Sequence, residues 1–385
     1  MSETFIPFSP PQLGDEEIAE VVDSLRSGWI TTGPKTRAFE EEFRAANSAP
    51  AALALSSCTA ALHLALDTLG IGPGDEVITT PLTFVATVNA IEHVGARPVL
   101  ADVEPDTLNL DPERVAAAIT PATRALLPVH YGGHPVDLDA FAALAEPAGL
   151  HVIEDAAHAV AARYKGRLIG SSDNPAAFSF YATKNMTTAE GGMLTGPAEF
   201  IDRARIASLH GMSRDAWKRY GKGGNWYYEV VMPGFKYNMT DLQAAIGRVQ
   251  LRRLPEFQQR RAEVVAAYNR AFADCEALQT PVCRPEVEHA WHLYALRLNL
   301  DALTINRNQF IDELSVRQIG TSVHFIPIHL HPYYGEKYGF APDAFPVAFS
   351  NYERLISLPL NAGISDGAVA RVAEAVLDIV GKHRR

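Results

Sequence analysis

Leu150-His-Val-Ile-Glu-Asp-Ala-Ala-His158 is a short apolar run that breaks into two acids and then, three residues on, a histidine. The helical stretch Asp137 to Ala148 precedes it, and the apolar strand Ala125 to Val129 precedes that helix. Farther upstream the alternation repeats. Helix Thr59 to Leu69 ends near Gly70 and Gly72, strand Glu76 to Thr79 follows, then helix Phe84 to His93 and strand Pro98 to Asp102. Short apolar strands separated by helices predict an α/β fold around a mostly parallel sheet with helices on its faces. Ligands of such sheets sit at the carboxyl ends of the strands, which is where Asp155 falls. An acid in a strand-to-helix turn is as often a helix N-cap, so by itself Asp155 carries both readings.

Outward from this core, Asp15 to Ser27 reads as an amphipathic helix and Gly28-Trp-Ile-Thr-Thr-Gly33 as a loop. Thr240-Asp-Leu-Gln243 fits a capping box that opens a helix toward Leu254. Pro255 is expected to reset the chain before a second helix, Gln258 to Phe272, and two strands, Trp291 to Asn299 and Thr321 to Phe325. The chain has 385 residues, more than one core usually serves. The expected division near Pro255 gives a large domain over 1–254, with an N-terminal arm, and a smaller C-terminal α/β domain over 255–385.

Composition narrows the function classes. Hydrophobic residues at 47% and charged residues at 21% fit a packed globular chain. A net charge of −11 disfavours broad contact with nucleic acid or an anionic membrane. The start, Met1-Ser-Glu-Thr-Phe-Ile-Pro, lacks an export signal, and polar residues interrupt the apolar segment Ala51 to Ile71. Three cysteines without a CxxC pair suggest neither a disulfide framework nor a zinc knuckle, and the reducing cytoplasm is the expected compartment.

Three stretches can carry chemistry. Ser179-Phe-Tyr-Ala-Thr-Lys184, followed by Glu190-Gly-Gly192, sets a lysine among small and hydroxyl residues, where burial would make it a usable amine. An arbitrary lysine is a solvated surface group. Asp155 and His158 form the second stretch, with His158 alone reading as a structural histidine. Ser56-Ser-Cys-Thr59, at the start of an apolar helix, suits either a phosphate site or ordinary capping.

Taken in order, these motifs resemble one family. Gly28-Trp-Ile-Thr-Thr-Gly33, Ser57 to Leu66, Thr83-Phe-Val-Ala-Thr87, Glu154 to His158, Ser179 to Lys184, Glu190-Gly-Gly192 and Tyr237 to Ala245 are similar to the sugar aminotransferases of fold type I. This is the DegT/StrS type, which includes perosamine and 4-amino-4-deoxy-arabinose synthases. The resemblance implies pyridoxal 5'-phosphate carried on Lys184, with Asp155 on the ring nitrogen, His158 at the phenolic oxygen and Phe84 on the ring face. Phe84 on pattern alone reads as core packing. Cys58 (through its backbone amide), Thr59 and Ser179 would hold the phosphate, and Asn238 would reach the phosphate of a second subunit, which implies a homodimer with shared sites. Substrate contacts fall to Arg214, Tyr228, His324 and His329. The implied reaction moves an amine from glutamate to a nucleotide-linked keto sugar, and Trp226 to Asn238 looks most like members acting at C4 of UDP-sugars.

Other readings stay open at this point. They are amination at C3, a sugar dehydratase on the same scaffold, in which relatives carry histidine in place of the lysine, and a non-catalytic cofactor-binding regulator. A metal-dependent hydrolase would use the His324 to His331 region, but neither that stretch nor His130 with His134 and Asp137 has a zinc-type spacing, and no metal is expected. The basic cluster Arg203, Arg205, His210, Arg214, Lys218, Arg219 and Lys222 reads equally as a diphosphate site or a solvated surface.

Overall fold

A computed structural model describes residues 4–213 and 227–385 of the chain. Its first ten strands are β1 (Ala51–Leu55), β2 (Glu76–Thr79), β3 (Arg97–Leu100), β4 (Thr123–Leu127), β5 (His151–Val152), β6 (Glu154–Asp155), β7 (Arg163–Tyr164), β8 (Arg167–Leu168), β9 (Ala176–Ser179) and β10 (Gly192–Gly196). β2 pairs in parallel with β3 and β4, and β4 with β5. β6 pairs in parallel with β9, after which β10 and β1 continue antiparallel. The run His151–Asp155 joins the two ladders: β5 leans on β4, Glu154 and Asp155 lean on Ala176 and Ala177, and Asp155 also bridges to Val129. One sheet results, parallel at its centre, in the order β3-β2-β4-β5/β6-β9-β10-β1. Asp155 ends the central strand.

The helices that position the site are α1 (Asp15–Ser27), α2 (Pro34–Ala46), α3 (Cys58–Thr68) and α4 (Val85–His93). Every residue of α3 from Ala60 to Leu66 is buried, as befits a helix apolar on all sides and enclosed between the sheet and its neighbours. Ser57 caps it by accepting the Ala60 N–H at 3.1 Å. On the opposite face Phe39 and Phe43 of α2 pack on Phe178 and Phe180, with the Phe43 and Phe178 rings 5.2 Å apart and edge-on. Burying such a ring contributes about 1.5–3 kcal/mol, and it clamps β9 just ahead of the lysine turn.

Two expectations are corrected. Asp241–Phe272 is one continuous 32-residue helix with Pro255 inside it, not two helices reset at the proline. A proline in a helix interior costs about 3 kcal/mol, and contacts along both halves offset it. Leu254 and Phe257 are buried, Arg253 lies 4.8 Å over the Phe257 ring, and Glu17 of α1 accepts from Arg253 at 2.9 Å and Gln250 at 2.7 Å. The predicted capping box at its start is present: Thr240 Oγ1 accepts from the Gln243 N–H and Gln243 Oε1 from the Thr240 N–H.

The second correction concerns Thr321 to Phe325, which is not a strand: its one backbone bridge to the C-terminal sheet among the described residues is Ser322 to Ser357. The Tyr131 hydroxyl takes the His324 carbonyl that a ladder would need, and Pro327 just beyond lacks an N–H. That sheet consists of Leu278–Gln279, Tyr294–Leu298 and Leu355–Leu358. Tyr268, Phe272, Tyr294, Phe310, Val372 and Ile379 fill the core behind it. Among the described residues no helix is long and apolar enough to cross a membrane.

Candidate active site

Lys184 ends a tight turn that leaves β9. Its N–H donates to Tyr181 O at 2.9 Å, and the loop folds back so that Phe180 N–H meets Gly191 O and Thr188 N–H meets Phe180 O. The next residue locks the turn: Asn185 donates to Ala290 O at 2.6 Å and to Gln258 Oε1 at 2.8 Å. The backbone is thereby fixed while the Lys184 amine has no hydrogen-bond or ion-pair partner among the described residues. Loss of hydration draws its pKa down to about 8, against the opposing pull of Cys58 and Asp155. Such an amine is still mostly protonated near neutral pH but has a far larger neutral, nucleophilic fraction than a solvated lysine.

The charge on Lys184 in turn acts on Cys58, Asp155, His158, His292 and His324, which marks these residues as one cluster. Asp155 is buried, and burial raises its pKa while hydrogen bonds from Thr87 and the Ala157 N–H lower it. Thr87 Oγ1 donates to Oδ2 at 2.8 Å and Ala157 N–H to Oδ1 at 3.1 Å. No helix begins there, so the N-cap reading of Asp155 fails.

Two hydrogen bonds fix tautomers. His158 Nδ1 accepts from the Gly132 N–H at 3.2 Å, so in the neutral ring Nε2 carries the proton and is a donor. Burial holds His158 well below the ordinary histidine pKa. Its ring lies between Phe325, stacked at 5.8 Å, and His292 at 4.4 Å. His292 Nδ1 faces Asn185 Oδ1 at 3.1 Å, and because Asn185 spends its N–H groups elsewhere, His292 is the donor. His324 bonds Ser357 Oγ at 2.8 Å through Nδ1, and burial, then Lys184, pushes its pKa to about 4.

The phosphate candidates also converge. Gly192 is the ladder partner of Ser179 on one side and of Leu55 on the other. A Cβ on Gly192 would sit 2.5 Å from the Ser57 carbonyl carbon and 2.6 Å from Cys58 N, so only glycine lets β10 lie this close to the start of α3. The first-turn N–H groups of Cys58 and Thr59 have no intrahelical acceptor, and they share this corner with the Thr59 and Ser179 hydroxyls. The Cys58 thiol bonds Ala177 O at 3.4 Å and, pushed up by burial, stays protonated. An anion site, a free amine, a buried acid and an N–H donor suit a phosphorylated pyridine aldehyde.

Other predicted residues fall differently. Phe84 is not core: it is the N-cap of α4 and 60% exposed, tilted toward Phe325 at 6.1 Å. Asn238 donates to Thr32 Oγ1 at 2.6 Å on a segment bridged to Leu55. His329 is set apart, buried edge-on to Phe345 with Nε2 donating to Pro342 O at 3.0 Å. Its proposed substrate contact is therefore withdrawn, since the side chain is only 3% exposed and its donor is engaged by Pro342 O. Tyr228 is exposed, while Arg214, Lys218, Arg219 and Lys222 lie outside the described residues. Arg205 is committed to Glu40 at 2.8 Å and Ala52 O at 3.1 Å, which removes it from the basic cluster. Thr87 and His292 were missed. The i, i+4 pair Thr83 and Thr87 in an apolar helix start could have signalled the first, and no sequence signal marks the second.

The chain is similar to known proteins along most of its length. The DegT/DnrJ/EryC1/StrS aminotransferase family matches residues 11–377. The spore coat polysaccharide biosynthesis protein SpsC of Bacillus subtilis is 53% identical over 98% of the chain and 97% of its own length. Among solved structures, Spr1654 of Streptococcus pneumoniae, provisionally assigned as a sugar aminotransferase, superposes in its PMP form with a TM-score of 0.92 at 38% identity over 98% of this chain and 99% of that one. PseC of Helicobacter pylori, an aminotransferase of pseudaminic acid biosynthesis, gives 0.90 at 28% identity over 99% and 100%.

Proposed function

The chain belongs to the DegT/DnrJ/EryC1/StrS aminotransferase family, pyridoxal-phosphate enzymes of fold type I that aminate sugars, and from that premise we propose a specific reaction. Glutamate gives its amine and leaves as 2-oxoglutarate, and a nucleotide-linked 4-keto sugar, UDP-linked, then takes the amine. The observation that carries this reading is Lys184, an unpartnered amine drawn down to about 8 within the charge field of a buried carboxylate. The names of the relatives, concerned with spore coat polysaccharide and pseudaminic acid, support a carbohydrate acceptor.

Each residue has an assigned task. Cys58 N–H, Thr59 N–H and the Thr59 and Ser179 hydroxyls would hold the phosphate, Phe84 would cover a ring face and His158 Nε2–H would donate to the phenolic oxygen. Asp155 would pair, in its ionised form, with the ring nitrogen. When bound, the cofactor supplies an electron sink for the pair left behind when a substrate carbon loses its proton. Lys184 anchors the cofactor at rest and, once released, moves the proton as a positioned general acid/base. Asn238 completes the site of a second subunit, so the working unit is a homodimer. Tyr228, Arg214 and His324 contact the sugar nucleotide. A lysine at 184 disfavours the dehydratase alternative.

Incubation of loaded enzyme with glutamate, then with UDP-, GDP- and dTDP-linked keto sugars, tests the assignment by mass spectrometry of the products. The expected result is amination at C4 of the UDP-linked compound. Amination only at C3 or only with another nucleotide overturns the substrate assignment, and no release of 2-oxoglutarate overturns the donor.

A further inference from the structure

Thr83 and Thr87 lie one helical turn apart at the start of α4, and both are buried, at 3% and 1% exposure. Their hydroxyls are 2.8 Å apart, and the Thr87 hydroxyl is 2.8 Å from Asp155 Oδ2. A threonine in a helix commonly returns its hydroxyl to the carbonyl one turn back. Thr87 sends it to the acid instead. An ionised carboxylate only accepts, so Thr87 donates to Asp155 and its lone pair accepts from Thr83, which fixes one direction for the chain of hydrogens. The second acid oxygen takes the Ala157 N–H. No cation lies within ion-pair distance of Asp155 among the described residues, so against burial these two neutral donors are the foremost support of the carboxylate, ahead of the more distant Lys184 and His130. The same turn presents Phe84, so one helix start aligns ring face and acid together.

We infer that Thr87 is a positioning residue for Asp155, with Thr83 orienting its hydroxyl, and that the pair keeps the acid ionised and aimed for the cofactor's ring nitrogen. This rests on the proposed pairing of Asp155 with that nitrogen. Loss of a buried hydrogen bond to a charged group reads as roughly a tenfold or larger effect.

The test combines titration of apo-protein with pyridoxal phosphate, giving a cofactor Kd, with kcat and KM for glutamate. Thr87→Val should raise the cofactor Kd and lower kcat each about tenfold, with the glutamate KM little changed. Thr87→Ser, which keeps the donor, should restore both, and Thr83→Val should show a smaller effect in the same direction. If Thr87→Val matches the native protein while Asp155→Ala loses cofactor and turnover, the positioning role is wrong and the pairing stands. If Asp155→Ala itself binds and turns over normally, the pairing is wrong. Should Thr87→Val not fold, native values for Thr83→Val overturn the inference.

Discussion

Two regions of the molecule differ in how their side chains are held. Around Lys184, Asp155 and the first turn of α3, nearly every group is fixed by strand register or by a hydrogen bond to backbone: Asp155 by Ala157, His158 by Gly132, Asn185 by Ala290. Along 227–231, the segment proposed to select the substrate, Tyr227, Tyr228, Val230 and Val231 are exposed side chains on irregular backbone. The contrast teaches where chemistry and choice of substrate reside. A reaction shared by a family needs groups placed to a fraction of an ångström, which strands and helix starts provide, while selection among substrates falls to surfaces that can vary without disturbing the sheet.

Substitutions in the fixed region should therefore have the largest effects. Lys184→Ala should reduce steady-state turnover below detection, beyond the roughly 10²–10⁴-fold that a positioned acid/base alone contributes. Measurable turnover would place the chemistry elsewhere. Gly192→Ala should weaken cofactor binding in an equilibrium titration, because its Cβ meets the Ser57 and Cys58 backbone at 2.5–2.6 Å and overpacking of this kind costs about 1–3 kcal/mol. An unchanged Kd would mean that the start of α3 is not the phosphate site.

The amine gives a gentler probe. Lys184 is depressed to about 8 from an ordinary 10.5, so it loses its proton at lower pH than a solvated lysine. The rate at which apo-protein condenses with pyridoxal phosphate, followed by stopped-flow absorbance, should rise with pH through a midpoint near 8. A midpoint near 10.5 would show a hydrated lysine. In the exposed segment, Tyr228→Phe should leave kcat nearly unchanged and raise the sugar-nucleotide KM between about twofold and tenfold, the worth of one hydrogen bond. A large loss of kcat there would erase the distinction between the two regions.

Local signals in the sequence mark where the fixed groups fall, while their roles are implied by the resemblance to one family. An apolar run stopping at Glu154-Asp155, hydroxyls ahead of an apolar helix and a Thr/Gln capping box each encode their geometry within a few residues. What escaped depended on distant partners. Pro255 reads as a break until α1 and the buried Leu254 and Phe257 are seen to hold the helix through it. Thr321 to Phe325 has the pattern of a strand, yet Tyr131, far away in the chain, takes its carbonyl. His329 and His292 have similar surroundings in the sequence, but one is sealed against Phe345 and the other lies tilted against His158.

The central claim is that one particular amine bonds the cofactor. Loading the protein with pyridoxal phosphate, reducing with borohydride and mapping peptides by mass spectrometry tests it most directly. The account predicts a single stable adduct, on the peptide containing Lys184. An adduct on any other lysine, or none at all, would contradict it.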